Sequence, residues 1–141
     1  MSEFNSSLVL QRLVYDKIKF ERKGFKNENE LKFGLQVQIG MSEDGVYKVT
    51  LILSGDKLDE YELVISLSGF FVIEGKDELD KQVVNDLISK NAVAILMPYL
   101  RSELTLLTSQ PETDSIVLPP FNINKMIENN TDSNNHDSEE I

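Results

Sequence analysis

The residue types that do chemistry are scarce in this sequence. The single histidine, His136, stands in ENNTDSNNHDSEEI, a stretch too polar to hold a base in a packed pocket, so histidine-based acid–base or nucleophilic catalysis is not expected. There is no cysteine, which removes thiolate nucleophiles and disulfides and fits a reducing compartment. Aspartate and glutamate are plentiful, but they fall in turns, on polar strand faces and in the last residues, where solvated surface is the expected role and a catalytic pair is not. Gly69 and Gly75 belong to neither a G-x-G-x-x-G pattern nor a P-loop, and no metal-ligand spacing appears. The expectation is a protein that is not an enzyme, uses no cofactor or metal, and works by binding.

Charge narrows what it binds. A formal charge of -10 and a pI near 4.5 argue against nucleic acid and against acidic membrane surfaces, because both draw affinity from clustered lysine and arginine. The first residues, MSEFNSSLVLQRL, lack the basic end and long apolar run of a signal peptide. No apolar stretch approaches the roughly 18–20 residues of a membrane span, so a soluble cytoplasmic protein is expected. At 141 residues the chain suits one domain.

The elements that would position a binding surface read as four strands and then helices. Residues 1–7 are small and polar and predict a flexible arm. Residues 8–22 read as a strand, with Val14, Ile18 and Phe20 sharing one parity. The polar connection KGFKNENE follows, carrying an aromatic, Phe25, that loop geometry does not require. Leu31, Phe33, Leu35, Val37 and Ile39 then alternate with Lys32, Gly34, Gln36 and Gln38, the period of a strand with one buried face. Asp44-Gly45 supplies the positive φ of a tight hairpin turn, which makes the next strand, 46–54, antiparallel. That strand is expected to break at Gly55-Asp56. Residues 61–74 set Leu63, Ile65, Leu67, Phe71 and Ile73 on one side, with Gly69 interrupting the row as a bulge or close approach would.

The period then changes. Leu79, Val83, Leu87 and Ile88 in residues 76–90 are spaced as on an amphipathic helix, which leads into NAVAILMPYLRSELTLLT at 91–108. Proline suits the first turn of a helix, so a regular helix is expected to begin near Pro98, with Leu100, Leu104 and Leu107 on one face and Leu96 extending the stripe. Tyr99 and Leu106 widen the apolar arc beyond what one sheet face needs, which points to a second partner. IVLPPFNINKMI suggests a short last helix, capped by Asn122 or Asn124. Residues 128–141 are polar and acidic and predict disorder.

These pieces resemble one family. AILMPYLRSELTLL is similar to the signature of the SecB protein-export chaperones, usually Leu-Phe-Pro-Tyr-Ala-Arg followed by an amphipathic helix; Leu96, Pro98, Tyr99 and Arg101 match. LQRLVYDKIKFE resembles the family's first strand, SGFFVIEG its fourth, and VLPPFNINKMI its Leu-x-Pro-x-Asn-Phe-Asp-x-Leu ending. The resemblance covers roughly residues 10–127 and each piece alone is weak. It implies an α+β fold over 8–127, a four-stranded antiparallel sheet with a long helix and a short C-terminal helix on one face. It also implies a homotetramer, a dimer of dimers, with Tyr99, Leu100, Leu104, Leu106 and Leu107 at the interface.

The implied activity is ATP-independent holding of unfolded or precursor polypeptides for Sec-dependent export. Apolar burial along an extended client would supply the affinity. By position, clients would meet Phe25 in the crossover loop, Leu31, Phe33 and Leu35 on the second strand, and Ile123, Met126 and Ile127 on the last helix; ordinary core packing is the competing role for the strand and helix residues. The family docks the SecA motor through acids on the sheet, and here the pattern departs. Lys17 and Val64 occupy two acid positions, and Glu21 alone is retained, so SecA docking is expected to be weak. Met97 also replaces phenylalanine, and Asn122-Ile123-Asn124 replaces Asn-Phe-Asp. Some SecB-like chaperones guard the antitoxin of a toxin–antitoxin pair, and that role is the alternative.

Overall fold

The computed structural model describes residues 7–74 and 81–118, with the side chains of Ser7 and Lys81 left aside. Four strands, β1 (Ser7–Arg22), β2 (Leu31–Met41), β3 (Tyr47–Lys57) and β4 (Tyr61–Glu74), form one antiparallel sheet in the order β1-β4-β3-β2. The helical part follows as α1 (Lys81–Asp86), a π-helical stretch Leu87–Ala92, and α2 (Val93–Thr108). The expected last helix, with Ile123, Met126 and Ile127, lies outside the described residues, as do the cap candidates Asn122 and Asn124.

Alternation in β2 to β4 places one apolar face against the helical layer. Val37, Leu51 and Leu67 stand in register across three strands, as do Leu35, Leu53 and Ile65, and α2 returns Leu96, Leu100 and Leu104 to the same core. The β2–β3 turn forms where expected: Gly45 has φ +82°, and its N–H donates to the Ser42 carbonyl over 3.1 Å. Between β3 and β4, however, the strand does not end at Gly55-Asp56. Gly55 continues the ladder, and the Leu63 side chain closes over it, so that an added Cβ would lie 3.2 Å from two Leu63 carbons. The glycine here admits a neighbour and does not turn the chain.

β1 corrects the simple parity reading. Register shifts between Leu10 and Arg12 and between Tyr15 and Lys17 are β-bulges, each of which inserts a residue and exchanges the two faces of the strand. Leu10, Leu13, Tyr15, Ile18 and Phe20 therefore pair with Phe71, Gly69, Leu67, Ile65 and Leu63 on the helix side, while Val14 pairs with Ser68 and faces outward. The helix also differs from expectation. Pro98 lies inside α2 and does not open it. Its ring removes the N–H that would bond to the Ala94 carbonyl, and the helix tolerates the loss because both residues are exposed, leaving that carbonyl open to solvent.

Gly69 is the close approach that its place in the row suggested. An ideal Cβ there would sit 2.7 Å from Leu96 Cδ2 and 2.8 Å from Phe71 Cε1, and both side chains are fully buried. Gly69→Ala should thus overpack the sheet–helix contact and destabilise the protein by about 1–3 kcal/mol. Chemical denaturation monitored by circular dichroism checks this, and an unchanged midpoint would show that Leu96 moves aside freely.

After α2 the chain turns back along it. Thr105 Oγ1 donates to the Ile116 carbonyl over 2.8 Å, the Ile116 N–H donates to Thr108 Oγ1 over 2.9 Å, and Leu118 is buried in the core. At the other edge the Tyr15 hydroxyl donates to the Tyr99 carbonyl over 3.1 Å, tying β1 to α2. Burial, with Glu103 adding to it, raises the Tyr15 pKa and favours the protonated donor.

Candidate functional site

The crossover between β1 and β2, residues 23–30, is held at one point of the β3–β4 turn. The Glu60 carbonyl accepts from the Lys23 N–H at 2.7 Å and the Gly24 N–H at 3.1 Å. Glu60 Oε1 accepts from the Asn27 N–H at 2.8 Å and pairs with Lys57 Nζ at 2.7 Å, and Lys57 Nζ also donates to the Asn27 carbonyl at 2.9 Å. The side-chain amides of Asn27 and Asn29 both donate to the Leu58 carbonyl. Gly24 passes so close to the turn that a Cβ would lie 2.2 Å from the Asp59 carbonyl oxygen. On the other side Lys26 pairs with Asp114 at 2.7 Å, and the Arg22 guanidinium donates to the Glu112 carbonyl and the Thr113 hydroxyl.

Glu60 is completely buried, and its Oε2 has no hydrogen-bond partner among the described residues. Burial pushes its carboxyl pKa up, but the Lys57 ammonium and the Asn27 N–H outweigh that and hold it below the usual glutamate range. The buried charge thus fixes the loop from beneath. Phe25, in the middle of that loop, takes no part in the fixing and is 93% exposed. The loop is thus held by several hydrogen bonds while its one aromatic side chain stays unpacked.

Two neighbours extend it. Leu58 in the turn is 62% exposed, and Lys57 beside it stands in register with Leu31 at the start of β2. From there Leu31, Phe33 and Leu35 run along the edge strand on the helix side of the sheet, each half-buried and packed against the core. The structure therefore brings Phe25 toward the Leu31 end of this row. Leu58 was not singled out from the sequence; the lone leucine in the acidic link KLDE was the available signal.

The helix residues separate into two groups. Leu100 and Leu104 are fully buried within the chain, facing β3 and β4, and Leu107 is half-buried against the same core. Their spacing put them on one stripe, and that stripe is occupied by the sheet. Tyr99 and Leu106, 42% and 67% exposed, are the residues of this set with surface left for another molecule. On the opposite face of the sheet, Lys17, Val64 and Glu21 all point outward, paired in register with Ser66, Lys19 and Glu62 respectively.

Among the described residues no group of three or more His, Cys, Asp or Glu is arranged to hold a metal, and no helix is long and apolar enough to cross a membrane.

No protein-family model matches the chain. An uncharacterised protein of Methanocaldococcus jannaschii is 36% identical over 83 residues, covering 55% of this chain and 51% of that protein, so the chain spans about half the length of the curated relative it matches. A protein of unknown function from Streptococcus agalactiae is similar at a TM-score of 0.49 and 12% identity, over 82% of this chain and 98% of that one. A Mycobacterium tuberculosis SecB-like chaperone, solved in complex with a ChAD peptide from the HigA1 antitoxin, superposes with a TM-score of 0.62 at 13% identity, over 81% of this chain and 90% of that one. The chain thus has an α+β fold, a four-stranded antiparallel sheet carrying one long helix, that matches a SecB-like chaperone.

Proposed function

We propose that this protein is an ATP-independent, SecB-like holdase that binds extended, non-native polypeptide along the surface formed by Phe25, Leu58, Leu31, Phe33 and Leu35. The observation that carries the reading is the exposed Phe25 on a loop fixed by a buried ion pair, at the head of a half-buried apolar row. Apolar side chains of a client would cover that row, and affinity would come from area removed from water. Ile123, Met126 and Ile127 would complete the groove. Tyr99 and Leu106 would face a second subunit in a dimer of dimers, multiplying grooves on one particle and raising avidity. Diluting a slow-folding substrate into native buffer with this protein in stoichiometric excess should delay its refolding. Unchanged kinetics would sink the proposal.

The client class has two readings, export precursors or one dedicated antitoxin, and the outer sheet face favours the second. A lysine at Lys17 and an apolar Val64 stand where acids would meet a basic SecA tail, and the similar solved structure holds an antitoxin peptide. Titration calorimetry with a SecA tail peptide is expected to show binding weaker than about 100 μM, with little heat at protein concentrations accessible to the method. Micromolar binding would restore the export reading. Recovery of one dominant client from the native host would support the dedicated one.

A further inference from the structure

We propose that residues 109–116 form a strap that ties the end of α2 to the crossover loop and sets the direction of Phe25, with Arg22 and Lys26 as positioning residues. The effect on clients rests on the holdase reading, and the strap's hold on Phe25 does not.

The strap is closed at its base on the last turn of α2. The Ser109 N–H donates to the Leu106 carbonyl at 3.2 Å, and the Ser109 hydroxyl donates to the Thr105 carbonyl at 2.6 Å. The Ser109 and Ser115 hydroxyls meet at 3.1 Å, beside the two bonds that join Ile116 to Thr105 and Thr108. The Gln110 side-chain amide donates to the Leu107 carbonyl, and the Thr113 N–H donates to the Gln110 carbonyl at 3.2 Å. Past the strap, Leu118 is buried in the core. Both ends are therefore anchored, as in a compact loop packed by its own groups.

The tip reaches a different part of the fold. Glu112 has φ +60°, a left-handed backbone that a non-glycine residue adopts at a cost, and its carbonyl accepts from Arg22 Nη2 at 3.1 Å. The same nitrogen donates to the Thr113 hydroxyl, while Arg22 Nη1 donates to the Gly24 carbonyl at 3.0 Å. Lys26 Nζ pairs with Asp114 at 2.7 Å. Both sequence neighbours of Phe25 are thus joined to the strap tip, Gly24 through the bridging guanidinium and Lys26 through its own ammonium.

The two holds on the crossover loop differ in kind. The anchor beneath it is buried, with the Glu60 side chain inaccessible and that of Lys57 only 11% exposed. The strap pair lies in water, with the Lys26 and Asp114 side chains 46% and 63% exposed. Salt and charge substitution therefore loosen the strap and leave the anchor in place. The anchor fixes where the loop lies, and the strap fixes how Phe25 stands on it. A side chain already held in one direction loses less freedom when a client covers it, so the strap raises affinity without touching the client.

The chain has no tryptophan, so Phe25→Trp in the full chain supplies a single reporter on the loop. Time-resolved anisotropy of that side chain should show about twofold more nanosecond depolarisation when Asp114→Asn or Arg22→Met is added, and likewise at about 1 M salt, where the screening length is about 3 Å. Glu28→Gln, exposed on the same loop and without an ion pair among the described residues, should leave it unchanged. Lys26→Asp should loosen the reporter, and Lys26→Asp with Asp114→Lys should restore it, which a loss of packing alone would not allow. With Phe25 intact, Arg22→Met combined with Asp114→Asn should weaken binding of a labelled unfolded peptide free of charged residues by about fivefold, with the far-ultraviolet circular dichroism unchanged. A reporter that none of these substitutions loosens in the folded protein overturns the strap. A reporter that loosens while a peptide bound by the wild type keeps its affinity overturns the positioning role. A wild-type chain that binds no peptide sinks the holdase reading instead, and the anisotropy still decides the strap.

Discussion

Glu60→Ala is expected to lower the unfolding free energy by about 3–5 kcal/mol, the largest effect of any single substitution considered for this protein. Removing the carboxylate strands the Lys57 ammonium, which is only 11% exposed, and leaves the Asn27 N–H without its acceptor. Glu60→Gln keeps an acceptor of the same shape and should lose less. Urea unfolding followed by circular dichroism measures both, and a loss below about 1 kcal/mol for the alanine variant would mean that water relieves the buried charge. The pH dependence follows from the direction of the shift. A carboxyl held below its unfolded value contributes stability above the unfolded glutamate pKa of about 4.3, and that contribution is lost as pH falls through the lower folded value. The wild-type midpoint should therefore decline below about pH 4, more steeply than that of Glu60→Gln. Glu62 and Asp114, each lowered first by its hydrogen bond to a lysine, shift in the same sense but are solvent-exposed and add little.

The second large effect concerns binding and leaves the fold intact. Phe25→Ser with Leu58→Ser is expected to weaken binding of an unfolded peptide by at least about 100-fold, since covering each apolar side chain is worth about 1.5–3 kcal/mol. Both side chains are already in water in the free protein, at 93% and 62% exposure, so the melting temperature should hardly move. Fluorescence anisotropy with a labelled, permanently unfolded peptide gives the affinity. Retained affinity would move the client surface away from the loop. Glu60→Ala links the two predictions: even where it remains folded, a loop no longer fixed from beneath presents Phe25 with more freedom, and affinity should fall with it.

The sheet was largely legible in the sequence because alternation survives averaging over many residues. Leu31 to Ile39, and Leu63 to Phe71, pair as their period requires, and Gly69 proved to be the close approach its place in the row suggested. Parity in β1 was not legible. A bulge is one inserted residue with no composition of its own, and two of them decided that Val14 faces out while Tyr15 faces in. Pro98 was misplaced for a related reason: its usual position in a first turn is a local preference, and the helix interior accepts it because the freed carbonyl faces solvent.

By itself, the sequence determined the class of structure, the absence of cysteine chemistry, and the apolar positions from which a binding surface could be drawn. These depend on residue type and short periods, which chain-local physics controls. Tertiary structure decided which of those positions remain available. Leu100 and Leu104 share a stripe with the core-forming leucines and are consumed by the sheet, whereas Tyr99, Leu106 and Leu58 retain surface. It also decided that Lys57, Glu60 and Asn27, distant or unremarkable in sequence, meet in one buried cluster beneath Phe25. Burial and ion pairing are properties of neighbours from other strands, and no window along the chain contains them.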